Sequence, residues 1–319
     1  MSLTFLVYGW FNKQNVGDEL MKQALRVIFE PKSVDLRFVD HISTQQLVGV
    51  DAVVFGGGSI LYDDPVIDAG VLAALLAREV PTFYVGVGGE TAVGRVHQQL
   101  LDVAELTFFR ELDVPDLVYA LEPDLSTLAH PPKGVLFVPN VEVVPTHAEP
   151  HWAHVAWEHF KNEVAQCLDQ FIDRGVPVSF LLMCNGEQKQ DAWPAAELMG
   201  RMLRRAPRLW TYAATDLSIT RLMRHFECVV TQRYHGIILS ELAGVPYVSI
   251  AHHDKLKLAQ PHRGQHLAYH AMNKDMLTDA LELARTTPIA PHRVPRKVYD
   301  DMVDQIISVV TGGRKSGHT

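Results

Sequence analysis

Short apolar runs alternate with longer amphipathic stretches along almost the whole chain. The runs at 3–8, 34–39, 51–55, 82–87, 106–109 and 135–138 are rich in β-branched and aromatic residues and flanked by turn residues, so they read as strands. Between them, the stretches 19–29, 66–78, 93–101 and 113–120 carry a helical period. In the first of these Leu20, Ala24, Val27 and Ile28 share one face. The strands are continuously apolar rather than alternating, which implies burial on both faces and hence parallel sheets covered by helices.

The alternation pauses at 139–152, PNVEVVPTHAEPHW, where three prolines break any apolar period. This predicts a linker between an N-terminal domain, 1–145, and a C-terminal domain, 150–290. Beyond it the pattern predicts helices at 153–174, 191–205, 217–225, 236–243 and 274–285, with strands at 178–183, 209–212, 228–231 and 246–250. A last helix, within 291–311, presents Val298, Met302, Ile306 and Val309 on one face and is expected to pack back. Residues 312–319 are expected to form a disordered tail. The fold class is therefore α/β: two doubly wound, Rossmann-like domains of mostly parallel strands facing each other across a cleft. Ligands in such sheets sit at the carboxyl ends of the strands.

A length of 319 residues suits two domains, and 47% hydrophobic with 21% charged residues excludes extensive disorder. A net charge of −8 argues against general nucleic-acid binding, so an anionic ligand must be met by local positive charge. Cys167, Cys184 and Cys228 lie far apart without CxxC spacing, which points to a reducing compartment rather than a disulfide framework or zinc knuckle. The N-terminal apolar run is only about six residues, with no basic flank, and no stretch approaches the roughly 18 apolar residues of a span. A soluble, cytoplasmic protein without a membrane span is expected.

Three places could carry chemistry. Gly9-Trp10-Phe11-Asn12-Lys13-Gln14-Asn15-Val16-Gly17-Asp18-Glu19 joins the first strand to the first helix. It is neither a dinucleotide fingerprint nor a P-loop, and Asn15 and Asp18 suit helix capping and ligand contact equally well. Gly56-Gly57-Gly58-Ser59 follows a strand, and glycines there permit close approach by another molecule or by protein. A second glycine run, Gly86-Val87-Gly88-Gly89, follows the next strand. Thr231-Gln232-Arg233-Tyr234-His235-Gly236 falls at a strand-to-helix junction, and His252-His253-Asp254-Lys255-Leu256-Lys257 follows a later strand. Arg can bind carboxylate or phosphate bidentately, Lys adds a point charge, and His can deliver a proton near neutral pH. The histidines His147, His151, His154 and His159 lack zincin spacing, and no metal site is expected.

These residues resemble the polysaccharide pyruvyl transferase family. The resemblance rests on N-x-G-D-E at Asn15–Glu19, on the triple glycine, and above all on R-Y-H-G-I-I-L-x-E-L-A-G-V-P from Arg233, followed by D-K-L. It implies a GT-B-like architecture and a reaction in which the enolpyruvyl group of phosphoenolpyruvate passes to sugar hydroxyls as a pyruvate ketal, with release of phosphate. It also implies phosphoenolpyruvate-binding roles for Arg110, Arg233 and Lys255, and a catalytic role for His235. Asn15, Gly17, Asp18, Gly56, Gly57 and Gly58 would form the cleft loops. No cofactor is implied beyond the donor itself, and the acceptor would be a sugar or glycan, whether free or lipid-linked. After Arg110 this chain has Glu111-Leu112-Asp113, where the family carries Asp and a nearby Ser, whereas Glu122-Pro123-Asp124 resembles the family's P-D element. A GT-B glycosyltransferase using a nucleotide sugar, or a non-catalytic sugar-binding relative, would share much of the same pattern.

Overall fold

The computed structural model describes residues 2–88, 93–145, 149–186, 190–204, 208–211, 218–252 and 264–316. The chain separates into two units. The first comprises Met1–Asn12, Gly17–Glu122 and Arg293–Thr319; the second comprises Lys13–Val16 and Pro123–His292.

The first unit contains β1 (Leu3–Tyr8), α1 (Val16–Phe29), β2 (Val34–Val39), β3 (Ala52–Gly58), α2 (Ala69–Leu76), β4 (Thr82–Val87), α3 (Arg95–Val103) and β5 (Leu106–Phe109). Its strands lie in the order β2-β1-β3-β4-β5 with every pair parallel. Phe5, Val7, Val53, Phe55, Phe83, Tyr84 and Val85 are fully enclosed, as continuous apolar strands demand of a sheet covered on both faces. The stretch 113–120 does not form the expected α-helix. Pro115 disfavours helical backbone at Val114, and Asp116 instead caps a short 3-10 turn, Leu117–Ala120, by accepting from the Val118 N–H.

The second unit contains β6 (Val135–Val138), α4 (His151–Asp173), β7 (Val178–Leu182), α5 (Ala192–Arg201), β8 (Arg208–Thr211), α6 (Ser218–Met223), β9 (Cys228–Thr231), α7 (Tyr234–Ala243), β10 (Tyr247–Ala251), β11 (Gln265–Ala268) and α8 (Lys274–Thr286). The order is β11-β10-β9-β6-β7-β8, again parallel throughout. This moves the expected boundary. Leu136 pairs with both Ser179 and Val229, so β6 is a central strand of the second sheet, and the units divide at Glu122/Pro123 rather than near 145. The proline-rich stretch falls after β6 and ends in the first turn of α4, inside the second unit, so it does not join the two units. Prolines there reflect a loop, which by itself says nothing about domain edges.

The chain then returns to the first unit as α9 (Arg296–Ser316). Its buried stripe is Tyr299, Met302, Val303, Ile306 and Val310. The expected face contained Met302 and Ile306 but also Val298 and Val309, which are only half-buried; Tyr299 turns the stripe because its ring is fully enclosed and its hydroxyl donates to the Asp116 carbonyl at 2.9 Å. Helix α9 continues into the expected tail as far as Ser316, and 317–319 lie outside the described residues.

Candidate functional site

Both sheets reverse their winding direction once: between β1 and β3 in the first unit, and between β6 and β9 in the second. Crevices at the carboxyl ends of strands beside such reversals are where α/β sheets bind ligands.

In the first unit this edge carries the glycines. They are not a loop beyond the strand, as expected, but the buried last residues of β3 itself. Gly57 and Gly58 have φ of +86° and +83°. A Cβ on Gly58 would stand 2.5 Å from Asp18 Oδ1, and one on Gly57 would stand 3.0 Å from the Phe11 ring. The close approach that the glycines permit is therefore taken by side chains of the same unit. Asp18 and Gly17 lie in the first turn of α1, with the Asp18 side chain buried.

Arg110 follows β5 and its backbone N–H donates to the Val87 carbonyl at 2.8 Å. Its guanidinium is buried, and Nη1 donates to Asp116 Oδ2 at 3.2 Å, with Asp116 fully enclosed. Glu111 takes a left-handed φ of +64°, and its carboxylate accepts from the Asp116 N–H at 3.2 Å. Asp113 accepts from the Phe109 N–H at 2.8 Å. The acids that depart from the family pattern thus close this turn on itself.

In the second unit the reversal point gathers the R-Y-H-G segment. Arg233 is the N-cap of α7, and its N–H donates to Thr231 Oγ1 at 3.0 Å, while that hydroxyl donates to the Arg233 carbonyl, also at 3.0 Å. A Cβ on Gly236 would lie 2.1 Å from Thr231 Oγ1, so the motif's glycine is what lets α7 start against the end of β9. His235 lies half-buried in the first turn of α7, with its ring edge-on to Tyr234 at 5.6 Å.

The Arg233 guanidinium does not stand as a bare cation. It grips Asp191 bidentately, Nε donating to Oδ2 at 2.7 Å and Nη2 to Oδ1. The Asp191 carboxylate is fully enclosed and also accepts from the backbone N–H groups of Met183 (3.1 Å), Cys184 (2.9 Å) and Val141 (3.2 Å). One buried carboxylate thereby ties the ends of β6 and β7 to the cap of α7. Burial alone would lower the arginine's pKa, but Asp191 outweighs it and holds that pKa above its ordinary value.

Beside this pair lies a second polar group, made by Asn140 after β6, Gln232 after β9 and His252 after β10. The Asn140 N–H donates to Gln232 Oε1 at 3.2 Å, and Asn140 Nδ2 donates to the Gln232 carbonyl at 3.4 Å and to His252 Nε2 at 3.3 Å. The segment Lys13–Val16 is attached to the same sheet. Val16 N–H donates to the Met183 carbonyl at 2.9 Å, Asn185 N–H donates to the Gln14 carbonyl at 3.1 Å, and Asn15 bridges Cys184.

The structure thus brings Arg233 and His235 together in the second unit, and Asp18 against the glycines in the first. Asp254, Lys255 and Lys257 lie outside the described residues. Sequence reasoning missed Asp191, Asn140, Gln232 and His252 as members of the site. The aspartate reads as an ordinary helix-start acid, and its partner lies 42 positions away. Among the described residues no group of His, Cys, Asp or Glu could hold a metal ion, and no helix is long and apolar enough to cross a membrane.

Two parallel sheets with ligand-type crevices define the GT-B class, and solved structures of that class share the fold. UDP-GlcNAc 2-epimerase from Methanocaldococcus jannaschii in complex with UDP-GlcNAc and UDP superposes with a TM-score of 0.60 at 10% identity, covering 96% of this chain and 99% of that one. An S. aureus MnaA–UDP co-structure gives 0.63 at 12% identity, covering 98% and 97%. UDP-GlcNAc 2-epimerase from Neisseria meningitidis bound to UDP-GlcNAc gives 0.60 at 10% identity, covering 97% and 100%. At such identities the likeness is one of fold alone. Among curated proteins no sequence matches. The family is set by sequence: the model described as polysaccharide pyruvyl transferase matches residues 15–254, three quarters of the chain. The protein belongs to the polysaccharide pyruvyl transferase family and is a transferase.

Proposed function

We propose that the protein transfers the enolpyruvyl group of phosphoenolpyruvate to two hydroxyls of a sugar or glycan, forming a pyruvate ketal and releasing phosphate. The observation that carries this reading is that the family match includes Arg233 and His235, and that both sit where the second sheet reverses. In the reaction the bond from C2 to the phosphate oxygen breaks, the methylene carbon gains a proton and two sugar oxygens bond to C2. His235 is the proton donor by type and position. Of the two hydroxyl protons released, one restores His235 and the other leaves with the phosphate.

Arg233 is proposed to face the donor's anionic groups as a member of its pair with Asp191. Arg110 and Lys255 are proposed as further phosphoenolpyruvate-binding residues on the family resemblance. The reaction chemistry is compatible with a soluble enzyme acting on a lipid-linked acceptor.

Ligand-induced thermal shift tests the donor. A ligand at a hundred times its Kd stabilises by about 2.7 kcal/mol, so phosphoenolpyruvate should raise Tm measurably. Stabilisation by UDP or GDP with none by phosphoenolpyruvate would refute this reading in favour of a nucleotide-sugar transferase. Phosphate release with a panel of glycan acceptors then tests turnover.

A further inference from the structure

Gln232 sits at the reversal point of the second sheet, with its carboxamide laid across the ends of β9 and β6, and it is fully buried. The orientation of that amide is fixed by its neighbour. The Asn140 N–H needs an acceptor, so the oxygen Oε1 must face it and the NH2 must occupy the other position. Among the described residues, Nε2 has no hydrogen-bond partner. Asn140 is different: its own amide donates to the Gln232 carbonyl, to Glu142 and to His252. Buried donors are nearly always paired, and an unpaired one is destabilising unless something completes it.

What completes it must be an acceptor, because an amide NH2 can only donate. The adjacent residue is Arg233, and His235 stands three positions on in the first turn of α7. Since Asp191 already balances the Arg233 charge, an anion meeting this edge relies on neutral donors as well as on the guanidinium.

We propose that Gln232 Nε2 donates a hydrogen bond to an anionic oxygen of the donor substrate, which makes Gln232 a binding residue of this site. The proposal rests on the phosphoenolpyruvate reading; the donor's carboxylate and phosphate oxygens share the required chemistry.

Calorimetric titration of phosphoenolpyruvate and of inorganic phosphate into the wild type, Gln232→Met and Gln232→Glu separates the possibilities. Gln232→Met removes the donor at similar length and should bind phosphoenolpyruvate about tenfold more weakly. Gln232→Glu keeps an acceptor for the Asn140 N–H but replaces the donor with oxygen, and it should bind more weakly still. If the methionine variant does not fold, the glutamate variant decides alone. A loss for both ligands places the contact on the phosphate, and a loss confined to phosphoenolpyruvate places it on the carboxylate. If both variants bind within twofold of wild type, the proposal is overturned and the amide meets a buried water instead. If the wild type binds phosphate but not phosphoenolpyruvate, the donor reading fails while Gln232 is still judged by its effect on phosphate. Binding of neither ligand by the wild type overturns both.

Discussion

Removing the Asp191 carboxylate should destabilise the second unit more than almost any other single change there. The pair is enclosed, with the Arg233 side chain 11% exposed and the Asp191 side chain 0%. Asp191→Ala leaves a buried guanidinium without its counter-charge, a class of change that costs about 3–5 kcal/mol. The N–H groups of Met183, Cys184 and Val141 lose their acceptor in the same step. Water entering the space would offset part of that second loss, so the range for the pair is the better figure. For a unit of this size roughly 2–4 °C of Tm follows each kcal/mol, which makes the drop about 10 °C.

Four of the five tryptophans, Trp152, Trp157, Trp193 and Trp210, belong to the second unit, so fluorescence-monitored urea unfolding reads it almost selectively. The control is Asp191→Leu with Arg233→Met. That double variant strands no charge and should lose less stability than Asp191→Ala alone, because much of the single-variant cost is the uncompensated arginine. Unfolding of Asp191→Ala within about 1 kcal/mol of wild type, or a double variant no more stable than the single one, would refute a stabilising role for the buried pair.

Other outcomes follow from the same geometry. Burial of His97 behind Phe55, with Nδ1 at 2.9 Å from the Tyr84 hydroxyl, lowers its pKa to about 4, so the unfolded chain binds the extra proton first; stability should fall by up to about 1.4 kcal/mol per pH unit between pH 6.5 and 4. His97→Phe should flatten that slope, measured by urea midpoints at several pH values. Gly58→Ala should cost about 1–3 kcal/mol, since φ is +83° and the added Cβ displaces Asp18, and a calorimetric Tm checks it. His235→Gln should abolish phosphate release while leaving phosphoenolpyruvate binding within about tenfold, or roughly 1.4 kcal/mol; near-normal release would remove His235 as the acid.

Much of the fold was legible because strand burial leaves a one-dimensional trace. Of the eleven strands among the described residues, ten lie where continuous apolar runs predict them; β11, QHLA, escapes because a partly exposed edge strand needs no such run. Pairing left no comparable trace. Nothing local to Val135–Val138 says that it neighbours β7 and β9, so the proline stretch after it looked like a boundary. At the site the same limit applies. The helix-start geometry of Arg233 and His235 follows from their spacing. That Asp191 neutralises the arginine, and that Phe11 and Asp18 occupy the room beside Gly57 and Gly58, are tertiary facts that only the folded chain displays.

The first unit draws its last helix from the far end of the chain, and this has a consequence for synthesis. Domains generally fold as they leave the ribosome, N-terminal first. Here Tyr299, Met302, Val303, Ile306 and Val310 complete a core whose sheet is translated within the first 109 residues. The nascent first unit must therefore wait, with the surface destined for α9 exposed, while the whole of Pro123–His292 is made. The second unit has its strands in hand once β11 is released, and it can close earlier. A stop codon after His292 would thus cripple the half of the protein that was translated first.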